Sequence, residues 1–178
     1  MEANIRVRRS IFIFTCFMMA LFSATNTYFA EQQLPKNYGA KGALLAQEVT
    51  VEEALVYALQ DEYLAQARYD AVIDKFGEVR PFMKIKESEK HHIHSLLPLF
   101  KMFKTKVPED DAKKYVTAPE TLKEAYQDGV EAEIENIDMY ERFLEIKDLP
   151  EEARAVFQKL SDASRKHLEA LNKGLSRV

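Results

Sequence analysis

The sequence predicts an all-α chain built as a four-helix bundle, two helical hairpins joined by a long crossover. Three observations predict it. Apolar residues recur at alternating spacings of three and four along four successive stretches, each stretch has recognisable helix start or stop residues, and only 5 glycines and 6 prolines interrupt 178 residues. A chain of this length can bury one good core, which argues for a single domain. Residues 1–30 read as an export signal or an N-terminal membrane anchor, 31–48 as a linker and 49–174 as the bundle.

In the N-terminal segment Arg6, Arg8 and Arg9 precede an uncharged stretch, residues 11–30, whose first part is almost wholly apolar. Ala24 and Ala30 offer small residues for cleavage, but Phe22 and Tyr28 two positions earlier are large. An uncleaved anchor is therefore the alternative, since the stretch approaches the length of a membrane span. Cys16 is the sole cysteine and falls inside this segment, so the remainder holds no disulfide, thiol nucleophile or cysteine-ligated metal. Ile13-Phe14-Thr15 lacks the small residue expected beside a lipidated cysteine. The formal net charge is −4, and the chain without its arginine-bearing start is more acidic still, which argues against nucleic acid as a partner. Lys84, Lys86, Lys90, Lys101, Lys104 and Lys106 read as a solvated face, with a docking patch as the alternative.

Thr50 and Glu53 form a capping-box pattern that opens the first bundle helix, and Gly77 closes it. Its seam is Val51, Leu55, Ala58, Ala65, Tyr69, Val72 and Phe76, and Glu62 fills the one gap. The second helix starts near Pro81 and its seam runs Phe82, Ile85, Glu89, His92, Leu96, Leu99, Phe103. Pro98 inside it predicts a kink or an early end. Residues 105–118 are long enough to travel the length of a bundle. Thr117 and Glu120, with Pro119 between them, are expected to open the third helix, whose buried side carries Leu122, Tyr126, Val130, Glu133, Ile137, Tyr140 and Leu144. At roughly 100° per residue Glu131 and Glu135 point well away from that stripe, while Glu133 stays within it. Asp148, Pro150 and Glu151 start the fourth helix, with a seam of Ala153, Phe157, Leu160, Ser164, His167 and Leu171. The halves echo each other: Glu62 stands to Tyr69 as Glu133 stands to Tyr140, and Glu89-x-x-His92 matches Ser164-x-x-His167. A duplicated hairpin of this kind brings the polar positions of all four helices to one level.

Five polar residues therefore lie where the helices should be apolar: Glu62, Glu89, His92, Glu133 and His167. No Lys or Arg shares the seams, so without metal these carboxylates need protons or mutual hydrogen bonds, at several kcal/mol of desolvation each. A Glu and a His at i and i+3 project from one helix face and can offer an oxygen and a nitrogen to the same ion. A hydrogen-bonded core histidine or a paired carboxylate accounts for any one of these positions alone; the full set points to metal. His91 and His94 face away, which suits surface or supporting roles. Tyr69 and Tyr140 read as core, or as hydrogen-bond partners of the site.

Over roughly residues 49–171, through Glu62, Glu89-Lys90-His91-His92, Glu133 and His167, the chain resembles the ferritin-like superfamily. Gly129-Val130 followed by Glu133 and Ile137, then Ser164-Arg165-Lys166-His167-Leu168, is similar to a family of exported bacterial and archaeal ferritin-like domains without an assigned function. The resemblance implies that Glu62 and His92 are terminal ligands of one metal, Glu133 and His167 of a second, and Glu89 the bridge. It departs at Ser164, where diiron relatives place a second bridging Glu. Three carboxylates facing two divalent ions favour an oxo or hydroxo bridge, an external anion or loss of the second metal, so one or two ions are expected, with a weakened second site favoured over a full pair. Asn136, one turn past Glu133, is available to lend an oxygen or orient a water.

Nitrogen and carboxylate ligands suit iron first, with manganese or zinc as alternatives. The resemblance implies an exported protein with ferroxidase-like or peroxide-reducing activity, an iron-dependent oxidoreductase. The alternative is a non-catalytic interaction domain with a structural or partly lost metal site. The expected partners are metal ions, oxygen or peroxide and a second copy of the chain as a homodimer, with a membrane met only through the N-terminal segment.

Overall fold

The computed structural model describes residues 34–178; the expected export signal or anchor, with Cys16, lies outside them. The described chain is helical: α1 (Gly39–Leu45), α2 (Val51–Phe76), α3 (Phe82–Met102), a 3-10 turn (Ala112–Tyr115), α4 (Leu122–Leu144) and α5 (Glu151–Leu175). Helices α2 to α5 are the four predicted from sequence. Among the described residues no helix is long and apolar enough to cross a membrane.

The start of α2 follows its sequence: the Thr50 side chain accepts the Glu53 N–H, and the Glu53 carboxylate accepts the Thr50 N–H at 2.9 Å. Gly77 ends it at φ +82, in the left-handed region that glycine enters without a Cβ clash. Helix α4 opens one box later than expected. Thr121, not Thr117, is the cap, with Glu124 closing the box, while Glu120 pairs with Lys75 at 3.1 Å. Both Thr-x-x-Glu patterns are in the sequence; Pro119 biases Ala118 toward extended backbone and so disfavours the first. Helix α3 does not end early at Pro98 but continues to Met102. The proline costs the helix about 3 kcal/mol. Burying Leu99 and Phe100 beyond it returns about 1.5–3 kcal/mol apiece, enough to carry the helix through.

Helix α2 packs on α3 and α4 on α5, and the hairpins meet through α2 against α4 and α3 against α5. Two side-chain hydrogen bonds a turn or more apart fix the α2/α4 direction: Tyr140 reaches Glu62 and Tyr69 reaches Glu133, so numbers rise on one helix as they fall on the other. The two are antiparallel. Toward one end the core holds Leu55, Leu59, Leu96, Phe100, Tyr140, Phe143 and Phe157; toward the other, Tyr69, Phe82, Ile85, Tyr126 and Leu171. On every bundle helix the polar positions lie between these two clusters. The bundle thus presents one polar layer, sealed above and below by apolar packing.

Residues 34–48, read as part of a linker, contain α1, which packs on α2 and α4. It is a small-residue helix that approaches closely: a Cβ on Gly39 would stand 2.8 Å from Asp61 Oδ1, and one on Gly42 2.5 Å from the Asn37 backbone. Arg142 on α4 holds its far end by donating to the carbonyls of Leu44, Ala46 and Gln47. The arm explains why Leu64 and Ala67, off the predicted seam of α2, are buried.

Candidate metal centre

The structure brings the five predicted residues together. Glu62 on α2, Glu89 and His92 on α3, Glu133 on α4 and His167 on α5 are all between 0% and 8% exposed. They form two triads, Glu62–Glu89–His92 and Glu89–Glu133–His167, each with its ligand atoms within 4.8 Å of one another. Glu89 belongs to both and uses a different oxygen for each. Its Oε2 lies 2.6 Å from His92 Nδ1, and its Oε1 lies 3.0 Å from His167 Nδ1. Glu62 Oε2 stands 3.1 Å from His92 Nδ1, and Glu133 Oε1 3.5 Å from His167 Nδ1. The two imidazoles stack with centroids 5.4 Å apart.

The terminal carboxylates are held from across the bundle. Tyr140 on α4 donates to Glu62 Oε1 at 2.5 Å, and Tyr69 on α2 donates to Glu133 Oε1 at 2.8 Å. The internal duplication visible in sequence is thus a reciprocal pair of tyrosine–carboxylate bonds. His91 and His94 are exposed and take no part. Two further polar residues were not singled out from sequence. Ser88, one turn before His92, places its hydroxyl 3.3 Å from His92 Nε2, which leaves Nδ1 facing the carboxylates. Asp61, beside Glu62, is buried and accepts the Ala40 N–H at 2.9 Å and the Asn136 amide at 2.8 Å. Ser164 donates to Asn136 Oδ1 at 2.7 Å.

Charge inside this layer is unevenly balanced. Burial pushes Glu62 up to about 7; His92 opposes the shift and Glu89 adds to it. Burial alone would also raise Glu89, but the facing His167 and His92 hold its carboxyl below the ordinary range. Burial disfavours charge on the imidazoles, yet Glu62 and Glu89 carry His92 up to about 10, and Glu133 and Glu89 carry His167 up to about 9. Metal-free, the layer sets three carboxylates against protons on two histidines.

The donor set fits a metal pair. His167 Nδ1 is buried without a hydrogen-bond partner although two carboxylate oxygens lie near it. Nitrogen and oxygen donors thus converge on one point without a settled hydrogen bond among them, an arrangement that suits a divalent ion. Glu62 and His92 would hold one ion, Glu133 and His167 the other, with Glu89 shared between them.

The pH dependence follows from these shifts. An ion must displace the protons on His92 and His167, so apparent affinity for Zn(II) or Fe(II) should rise with pH between about 6 and 9, with proton release measurable by calorimetry in buffers of different ionisation enthalpy. Both histidines have folded pKa values raised above the unfolded value of 6.5, so the stability they confer is full below that pH. It is lost as pH rises through about 9 to 10. The metal-free protein should therefore lose thermal stability over that window and the metal-bound protein should not. Parallel behaviour of the two forms would contradict the assignment.

Comparison with curated proteins and with solved structures finds no match. The rubrerythrin family model matches residues 53–175, a span that includes α3, α4, α5 and all five residues of the polar layer. On that match, and on a ferritin-like four-helix bundle carrying carboxylate and histidine groups able to hold metal, the chain belongs to the rubrerythrin family, the ferritin-like diiron-carboxylate proteins.

Proposed function

We propose that the protein is exported, binds two iron ions between α2, α3, α4 and α5, and has ferroxidase-like or peroxide-reducing activity. The observation that carries the reading is Glu89, whose two oxygens face two histidines on different helices. A carboxylate kept only for packing or pairing would need one such partner. Export rests on Arg6, Arg8 and Arg9 ahead of the uncharged residues 11–30.

Bound iron supplies the electrons: two ferrous ions give the two that, with two protons, convert one peroxide to two waters. The chain supplies position and protons. His92, backed by Ser88, and His167 present nitrogen; Glu62, Glu89 and Glu133 present oxygen, with the outer two oriented by tyrosine hydroxyls. The Tyr69 hydroxyl, its oxygen 2.8 Å from Glu133 Oε1, also keeps a proton beside the His167 half of the site. Apolar packing above and below excludes bulk water, which strengthens each electrostatic contact. A cleft of about 220 Å³ between α2, α4 and the crossover is lined in part by Arg68, Tyr69, Gly129 and Ala132, and the Tyr69 hydroxyl is bonded to Glu133, so a small oxidant entering it would meet a residue attached to the site.

Anaerobic loading with Fe(II), followed by air or peroxide, tests the reading through metal content and optical spectra. The expected result is bound iron oxidised faster than iron in buffer. Bound iron with no acceleration would replace this reading with a non-catalytic metal-binding bundle; no bound iron would sink it.

A further inference from the structure

The polar layer contains a fourth carboxylate that does not reach the metal triads. Where a second bridging Glu is expected, the single Ser164 hydroxyl proton faces Asn136 Oδ1 at 2.7 Å, with the Leu160 carbonyl at 3.1 Å as the other acceptor in reach. The Asn136 amide donates to Asp61 Oδ2 at 2.8 Å, and Asp61 Oδ1 accepts the Ala40 N–H from α1 at 2.9 Å. Asp61 is 5% exposed, Asn136 5% and Ser164 1%, so the chain of bonds runs wholly inside the protein. Asp61 has no Lys or Arg within ion-pair distance among the described residues. Arg68 favours its charged form without pairing with it and burial disfavours that form, so further positive charge nearby is what keeps this carboxylate ionised.

We propose that Asp61 is the displaced fourth carboxylate of the metal pair: a positioning residue that, through Asn136 and Ser164, balances the charge of two divalent ions and fixes the Glu133–His167 half of the site. The proposal rests on the metal-pair reading above. Glu62, Glu89 and Glu133 leave two divalent ions one negative charge short of neutrality, and Asp61 restores the count without ligating. The placement is specific. Asn136 lies one turn past Glu133 on α4, Ser164 one turn before His167 on α5, and Asp61 next to Glu62 on α2. The network therefore locks three helices together beside three of the five ligands. Ser164 is then the end of an anchor rather than a gap left by a lost ligand. A glutamate there would set a carboxylate against Asn136 Oδ1 and break the anchor.

Anaerobic Co(II) titration of the full-length chain, read by visible absorption and metal content, separates the two halves. The wild-type protein should take up two equivalents with distinct spectra. Asp61→Asn, nearly isosteric, removes the charge and leaves one acceptor oxygen for two donors, the Ala40 N–H and the Asn136 amide; it should weaken the second equivalent by about tenfold or more and leave the first unchanged. The exchange Asp61→Asn with Asn136→Asp returns a donor and an acceptor to each contact and should restore the second equivalent, which a merely disrupted fold would not do. Two wild-type equivalents with Asp61→Asn binding both unchanged, or losing both equally, would overturn the proposal while leaving the metal site standing. Wild-type protein that binds no Co(II) would defeat the metal-pair reading itself. Should Asp61→Asn fail to fold by circular dichroism, Ser164→Ala, which keeps every charge, carries the test: a weakened second equivalent supports the anchor and an unchanged one overturns it.

Discussion

Glu89→Gln should remove both metal ions at once. Glu89 is the one carboxylate present in both triads, with one oxygen 2.6 Å from His92 and the other 3.0 Å from His167. The amide keeps the volume, discards the charge and offers a single oxygen, so both ions lose a ligand and their shared counter-charge. Loss of an outer hydrogen-bonding partner of a ligand lowers affinity by about 10- to 100-fold, and loss of the shared ligand should exceed about 100-fold for each ion. Glu62→Gln and Glu133→Gln serve as the controls. Each belongs to one triad, so each should weaken one equivalent and leave the other within a few-fold of wild type. Calorimetric titration with Zn(II) reads all three variants. A Glu89→Gln protein that retains one tight equivalent would show that Glu89 does not bridge.

Phe157→Ala should produce the largest loss of stability, about 3–5 kcal/mol in denaturant unfolding. The ring is fully buried on α5 and packs against Phe143 at 5.3 Å and Tyr140 at 5.8 Å between centroids. Its removal takes apolar surface from the core and leaves a cavity among side chains that cannot all collapse into it. The effect should also reach the site, because the Tyr140 ring lining that cavity carries the hydroxyl bonded to Glu62. Phe157→Ala should therefore weaken the Glu62–Glu89–His92 ion more than the Glu133–His167 ion. A loss below about 1 kcal/mol would show that this end of the bundle is not packed as described.

The bundle and its five central residues were legible in the sequence because they break a strong pattern. A carboxylate or imidazole stands out when its neighbours three and four positions away are Leu, Phe, Tyr or Val, and helical periodicity then places it in the core. What escaped notice lacked that contrast. Asp61 sits beside Glu62 in Gln60-Asp61-Glu62, where an acid reads as solvent-facing; it is buried because α1 covers it, and α1 has only seven residues, two of them glycine, too few for an apolar periodicity to predict it. Ser88 is one of several polar residues of α3 beside the seam, and only the direction of the His92 ring gives it a role. The start of α4 was misplaced by four residues because two identical capping patterns follow one another and local sequence does not rank them. Ser164 was visible as a departure, but its meaning depended on Asn136 and Asp61, partners on other helices.

The central claim is that two ions share Glu89, and anomalous diffraction at the iron edge from crystals loaded anaerobically with Fe(II) tests it most directly. The account predicts two peaks, one among Glu62, Glu89 and His92 and one among Glu89, Glu133 and His167. A single peak, or iron bound away from Glu89, would contradict it.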